Sequence, residues 1–322
     1  MIITRTPLRI SFTGGGTDLA SYYKINGGAV VSMAVNKYIY ITVNKKFDNA
    51  IRVSYSSTEI VQEVSDLHHD LVREAMRLAD ISGGIEITSI ADIPSGTGLG
   101  SSSSFTVGVL NALFTYTGHR LSSKELAELA CRVEIDILGH PIGKQDQYAA
   151  AYGGLNYFRF HPDETVSVNR LELRGADWRA MSRKLMLFYT GITRSADSVL
   201  TEQKKNTQSK IEVLNEMKQQ AGSMYHDLMT NGFTLNFGDA LHRGWLRKQT
   251  LAGGISSPEI SQLYDRAMAA GAAGGKLLGA GGGGFLLFYC DEEKQEGVRT
   301  ALGLQQVDFG PDLYGSRVVY FA

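Results

Sequence analysis

The run Pro94-Ser95-Gly96-Thr97-Gly98-Leu99-Gly100-Ser101-Ser102-Ser103-Ser104 sets glycines at alternate positions directly ahead of consecutive serines. Glycines let a backbone come close to a bulky ligand, and serine hydroxyls add hydrogen bonds or ligate a metal. Between a strand and a helix, such a loop turns unpaired N–H groups and a positive helix end toward an anion. The chemistry implied is a phosphate cradle, most simply for a nucleotide. Taken singly, each glycine suits an ordinary turn equally well. The run is not a Walker A loop. No Gly-Lys-Ser/Thr ending occurs in the chain, and Ser101 stands where the third glycine of Gly-x-Gly-x-x-Gly would fall.

Two further glycine runs flank it. Thr13-Gly14-Gly15-Gly16-Thr17-Asp18 ends in an acid suited to accepting hydrogen bonds from sugar hydroxyls, or equally to capping the next helix. Gly279-Ala280-Gly281-Gly282-Gly283-Gly284 does fit Gly-x-Gly-x-x-Gly, but the strand-like 285–289 follows where a dinucleotide fold needs a helix. Among the acids, Glu134 lies at the margin of an apolar helix face, where a carboxylate must be paired or bind something. Asp146 sits between Gln145 and Gln147 in the stretch 139–148, which reads as an active-site loop. His68-His69 are helical neighbours that point apart, and no histidine falls in a zinc spacing.

These residues need a frame. Alternation and β-branched content predict strands at 2–12 (with Pro7 at an edge or bulge), 28–35, 37–46, 51–55, 84–90, 184–189 and 317–321. A hairpin is expected over 154–173, turning at 161–164. Helical spacing is expected at 67–79, 105–117 and 257–270, with a long polar helical region from 195 to about 252. Ser122-Ser123-Lys124-Glu125 reads as a capping box opening a helix that runs to about Ile137. Strands and helices mix without a regular βαβ rhythm, so the class expected is α+β.

The chain has 322 residues, enough for two domains or one large one, and its 43% apolar and 20% charged residues are those of an ordinary globular protein. A net charge of −1 gives no general attraction to nucleic acid or an anionic membrane, so an acidic substrate would need a local basic pocket. Cys131 and Cys290 read as buried thiols of a reducing compartment. No leader pattern and no stretch of about 18 apolar residues stands out. The expectation is a cytoplasmic protein with no nucleic-acid and no membrane partner.

In order and spacing, Pro7-Leu8-Arg9 with the run ending at Asp18, the central loop, and the stretch 276–288 resemble the three motifs of the GHMP kinases. The likeness spans nearly the whole chain. Within the family the bacterial D-glycero-α-D-manno-heptose 7-phosphate kinases look most similar, through 5–19, 27–46 and 143–154. Galactokinase and mevalonate kinase carry Gly-Glu-His where this chain has Gly14-Gly15-Gly16.

The resemblance implies an N-terminal domain like ribosomal protein S5 domain 2 over 1–175, holding the ATP and metal site, and a ferredoxin-like C-terminal domain over 176–322. It implies ATP on Pro94, Gly96, Gly98, Leu99, Gly100, Ser101, Ser102 and Ser103, with Mg²⁺ on Ser102 and Glu134. Asp146 would be the catalytic base and Arg9 the cation beside the transferred phosphate. Gly15, Gly16, Thr17, Asp18, Gly282 and Gly283 would face the acceptor. Arg194 is the first candidate to anchor a phosphate on that acceptor, with Lys144 and Arg183 behind it.

The implied reaction is phosphorylation of the heptose 7-phosphate at its anomeric hydroxyl, giving the 1,7-bisphosphate for GDP-heptose synthesis. Alternatives are a fucokinase-like or other hexose 1-kinase, and a non-catalytic sugar and ATP sensor on the same fold. The partners expected are ATP and a sugar phosphate, with a homodimer left open.

Overall fold

The computed structural model describes residues 1–172, 175–193, 196–232 and 236–322. Its spine is the strand Gly28–Lys45, buried throughout from Gly28 to Val35. Along one side it pairs antiparallel with Ile2–Thr13. Its other side is shared, the beginning pairing with Leu155–Phe160 and the end with Ile85–Ala91. Ile51–Ser54 joins Ile85–Ala91 in parallel and Thr58–Val61 lies beyond it. Val166–Leu171 completes the hairpin with Leu155–Phe160.

Two strands were expected at 28–35 and 37–46, yet one continuous strand forms. The irregularity is taken up by a register shift at Pro7/Leu8 in its partner, which bends the pair without breaking it. Pro7, lacking an N–H, is tolerated at that bulge.

The second sheet is wholly antiparallel and contains Leu185–Tyr189, Gly274–Leu277, Phe285–Tyr289 and Gln305–Gln306. In chain order its strands lie fourth, first, third, second, with helices after the first and third. That is the ferredoxin-like arrangement. Trp245, Phe188 and Phe288 pack at its core. The helix Gly175–Lys184 before this sheet escaped the sequence reading; Met181 is its fully buried apolar residue, so no clear period marks it. The closing strand Arg317–Phe321 returns to the first sheet and pairs with Ile2–Arg5, so the residues after 175 do not all lie with the second sheet.

The helix Ser101–Tyr116 is buried on nearly all sides from Ser103 to Leu113, as a central helix must be when it is apolar all round. It packs on both long strands and on the helices Asp70–Leu78, Ser123–Cys131 and Gln145–Tyr152. The capping box forms: Ser122 Oγ accepts from Glu125 N at 3.3 Å, and Glu125 accepts from Ser122 N at 2.7 Å. Beyond Cys131 the helix widens into a π-helical turn over Arg132–Ile137, and Glu134 in that turn is fully buried. His69 is packed between Tyr55 and Phe105. Both cysteines are free and buried. Among the described residues no helix is long and apolar enough to cross a membrane.

Candidate active site

The loop between Ile85–Ala91 and Ser101–Tyr116 alternates in backbone sign. Gly96, Gly98 and Gly100 have φ of +74°, +82° and +76°, while Thr97 and Leu99 are not among the residues of positive φ. Such alternation curls successive N–H groups toward one side, the geometry of an anion nest. The loop is tied down by Arg9: its backbone N–H donates to Leu99 O at 2.9 Å and its Nη1 to Gly98 O at 2.7 Å. The third glycine run lies directly against it, since a Cβ on Gly98 would come within 2.6 Å of the Leu278 carbonyl oxygen.

Arg9 also holds Asp146. Nε donates to one carboxylate oxygen and Nη2 to the other, each at 2.7 Å. Arg9 is 3% exposed, so the guanidinium works out of bulk water. Asp146 belongs to the first turn of the helix Gln145–Tyr152 rather than to a loop, as the sequence had suggested. The helix start favours its negative charge.

Glu134 stands behind Ser102. It accepts from Ser102 Oγ at 2.9 Å and from Gln147 Nε2 at 2.7 Å. Burial pushes its carboxyl above the ordinary value; bonds from Ser103, Gln147 and Ser102 work against this, and the Asp146 charge adds to it. It forms no ion pair among the described residues. A buried carboxylate without a cation, next to a hydroxyl that borders the cavity, fits Mg²⁺, which takes few protein oxygens and completes its shell with phosphates and water. No group of three or more His, Cys, Asp or Glu suited to a metal occurs among the described residues, in keeping with so sparse a protein shell.

Asp18 forms the opposite wall. It accepts from Gly16 N at 2.8 Å and Gln145 N at 3.3 Å, and does not cap the helix Ala20–Asn26. Burial raises its pKa, with the Gly16 bond opposing and the charge of Asp146 adding. Gly143 is needed here, because a Cβ would run into the Asp18 carboxylate. Gln203, from the helix Ala196–Asn206, is 3% exposed with its Nε2 unpartnered among the described residues, and Gln145 Oε1 and Ser11 Oγ are likewise buried without a partner there.

All of this converges on one cavity of about 280 Å³. Arg9, Asp146, Asp18, Gly15, Gly16, Gly96, Gly98, Gly100, Ser101, Ser102, Ser103 and Gly283 border it, so most of the expected site is brought together. Several expected residues do not face it. Thr17 is fully buried with its hydroxyl at 2.8 Å from Gly14 O and 2.9 Å from Ala29 O, so it holds the glycine turn instead. Pro94 offers its carbonyl to Thr97, Leu99 is buried beneath the loop, and Gly282 N donates to Ile255 O.

Lys144 donates to Glu164 O and covers Tyr23, while Arg183 faces Glu292 on the surface, so neither expected anion anchor reaches the cavity. Arg194 lies outside the described residues. Conversely, Lys248, Gln203 and Asp197 border the cavity and escaped the sequence reading, while Lys276 and His140 border it from stretches that were singled out without a role for either side chain. Lys248 and Gln203 come from polar helices, whose side chains read as a solvated face until the fold shows which of them turn inward.

The model for the GHMP kinases N terminal domain matches residues 64–154, and that for GHMP kinases C terminal matches 226–307. A D-glycero-alpha-D-manno-heptose 7-phosphate kinase from Campylobacter jejuni is 31% identical over 95% of this chain and 94% of its own. An L-fucokinase/L-fucose-1-P guanylyltransferase from Bacteroides fragilis is 28% identical over 81% of this chain and 32% of its own. The crystal structure of a D-glycero-D-manno-heptose 1-phosphate kinase from Bacteroides thetaiotaomicron superposes with a TM-score of 0.83 at 27% identity, covering 100% of both chains. By both family models and by its likeness to the heptose kinase along 95% of its length, the chain belongs to the GHMP kinase family and is an ATP-dependent carbohydrate kinase with that family's α+β fold.

Proposed function

We propose that the protein transfers the γ-phosphate of ATP to the anomeric hydroxyl of D-glycero-α-D-manno-heptose 7-phosphate. The carrying observation is that Asp146, held by Arg9, and Asp18, held by the Gln145 N–H, border the same cavity as the phosphate nest. A sugar lying on Asp18 with its reacting hydroxyl at Asp146 would be adjacent to a phosphate seated over Gly96, Gly98 and Gly100.

Asp146 would take the hydroxyl proton as the sugar oxygen bonds to phosphorus and the bond to the ADP oxygen breaks. Arg9 would fix the carboxylate's direction and offset charge on the phosphoryl oxygens. Most of the rate would come from positioning and neutralised charge rather than covalent catalysis by the protein. Mg²⁺, held by Ser102 and Glu134, would supply further neutralisation of the phosphates. The nucleotide and metal site would belong to a first domain over 1–175, to which the closing strand Arg317–Phe321 returns, and the remainder of 176–322 would form the second. The cytoplasm is the compartment proposed, in keeping with two free buried thiols.

Heptose 7-phosphate is favoured by the Campylobacter relative, which is named a kinase of that sugar phosphate and matches over 94% of its length. The test is ATP consumption with Mg²⁺ across heptose 7-phosphate, heptose 1-phosphate, mannose 6-phosphate, mannose, L-fucose, galactose and mevalonate. Turnover confined to heptose 7-phosphate, with a bisphosphate product, is the expected result. Preference for L-fucose or another free hexose would replace the substrate assignment. ATP binding with no turnover of any of them would point to a sensor.

A further inference from the structure

We propose that Lys248 is a second cation on the transferred phosphoryl group, reaching from the helix Asn236–Gln249 to hold the terminal phosphate of the nucleotide opposite Arg9. The inference rests on the ATP-kinase reading and assigns a residue to it.

Two buried lysines border the cavity, and their surroundings differ. Lys276 donates to Ser11 O at 2.7 Å and to Phe12 O at 3.0 Å, so its ammonium is spent tying the second sheet to the first strand. Lys248 is 7% exposed and, among the described residues, donates to one group, the Gly279 carbonyl of the third glycine run. An ammonium has three N–H donors, and burying one that is mostly unsatisfied is costly. Its remaining donors need an acceptor that the cavity must receive from outside.

The surrounding charges say what that acceptor is. Lys248 feels the charges of Arg9, Asp18 and Asp146, and Lys276 in turn feels Lys248 and Arg9. Arg9 is already matched by Asp146 through two bonds. Arg9 and the two lysines repel one another, Asp18 and Asp146 offset part of this, and a multiply charged anion would offset the rest. Burial pushes the Lys248 ammonium down to about 8, Arg9 adding to this and the two aspartates opposing it. A bound phosphate would restore its proton. Gly279 lies against Gly98, so the amine stands where the third run meets the phosphate loop.

The experiment compares the intact wild type with Lys248→Met and Lys248→Arg, titrating ADP and a non-hydrolysable ATP analogue with Mg²⁺ by calorimetry. The wild type is expected to bind the analogue at least tenfold more tightly than ADP. Lys248→Met should reduce that preference to near unity with ADP affinity unchanged, and Lys248→Arg should recover part of it. In turnover, kcat for Lys248→Met should fall on the order of a hundredfold while KM for the sugar stays within twofold. The wild-type loss of kcat/KM above about pH 8 should be absent from the variant.

An unchanged analogue-to-ADP ratio in Lys248→Met, or a change confined to KM of the sugar phosphate, would overturn the proposal. The two readings fail separately. A wild type that phosphorylates none of the sugars while Lys248→Met abolishes the ATP preference sinks the substrate assignment and keeps Lys248. A wild type that uses heptose 7-phosphate while Lys248→Met keeps the preference does the reverse.

Discussion

Arg9 and Asp146 are joined by two parallel bonds of 2.7 Å across 137 positions of sequence, and the same guanidinium donates to Gly98 O at 2.7 Å. One side chain therefore fixes the carboxylate proposed as base and the loop proposed for phosphate in a single geometry. A two-point pair sets direction as well as distance.

Asp146→Asn keeps the shape and removes the proton acceptor, so kcat should fall about a thousandfold with nucleotide affinity little changed. Arg9→Lys retains the charge but cannot make the fork and the Gly98 bond together, and should lower kcat by about tenfold to a hundredfold. Steady-state kinetics with calorimetric nucleotide titration checks both. An Asp146→Asn enzyme of near-normal kcat would remove Asp146 from the mechanism.

Glu134 and Ser102 should act through the metal. Glu134→Gln retains an acceptor for Ser102 but loses the charge, and the Mg²⁺ concentration for half-maximal rate should rise about tenfold to a hundredfold. Ser102→Ala should move in the same direction by less. Titrating Mg²⁺ at fixed ATP distinguishes this from a general loss of folding, which thermal melting reports separately.

Lys248 makes the ligand-free protein depend on pH in a definite sense. Burial holds its pKa in the folded chain at about 8, below the ordinary 10.5, so between these the unfolded chain binds more protons and stability rises with pH. Below about pH 8 the cost of the buried charge is fully present. Lys248→Met removes it, so the variant should be more stable than wild type at pH 7, by at most about 3.5 kcal/mol at roughly 1.4 per pKa unit. The gap should narrow toward pH 10. Urea unfolding at several pH values measures this, and a variant less stable at pH 7 would mark Lys248 as a structural residue.

Contact between the glycine runs can be separated from backbone strain. Gly98 has φ +82° and a Cβ there would meet the Leu278 carbonyl oxygen at 2.6 Å, whereas Gly118 has φ +84° and open space around it. Gly118→Ala should cost about 1 kcal/mol, the left-handed penalty alone. Gly98→Ala should cost clearly more and weaken ATP binding, as melting curves and nucleotide titration would show.

Gln203 reaches the cavity with a buried Nε2 beside Gly16 that has no partner among the described residues. Gln203→Leu should raise KM for the sugar about tenfold, the effect of losing one hydrogen bond to a substrate hydroxyl, and leave KM for ATP unchanged. Equal effects on both would assign the amide to another task.

The residues themselves determined a good deal. Alternating glycines ahead of serines, the capping box at Ser122 and the strand after Gly284 are local signals, because turns, caps and close approaches are settled by residues near in sequence. Order and spacing of the glycine runs then carried the family, and the irregular mixing of strands and helices carried the α+β class.

Tertiary structure decided the rest. Asp146 meets Arg9 only because the helix Gln145–Tyr152 is docked on the first strand, and Glu134 is turned inward by a π-helical turn that apolar periodicity does not reveal. Whether Thr17 faces a substrate or holds a turn, and whether Lys144 or Lys248 enters the cavity, depends on long-range packing. A polar side chain carries no period of its own. It reads the same on a solvated face as on a cavity wall, and only the fold sets which one it meets.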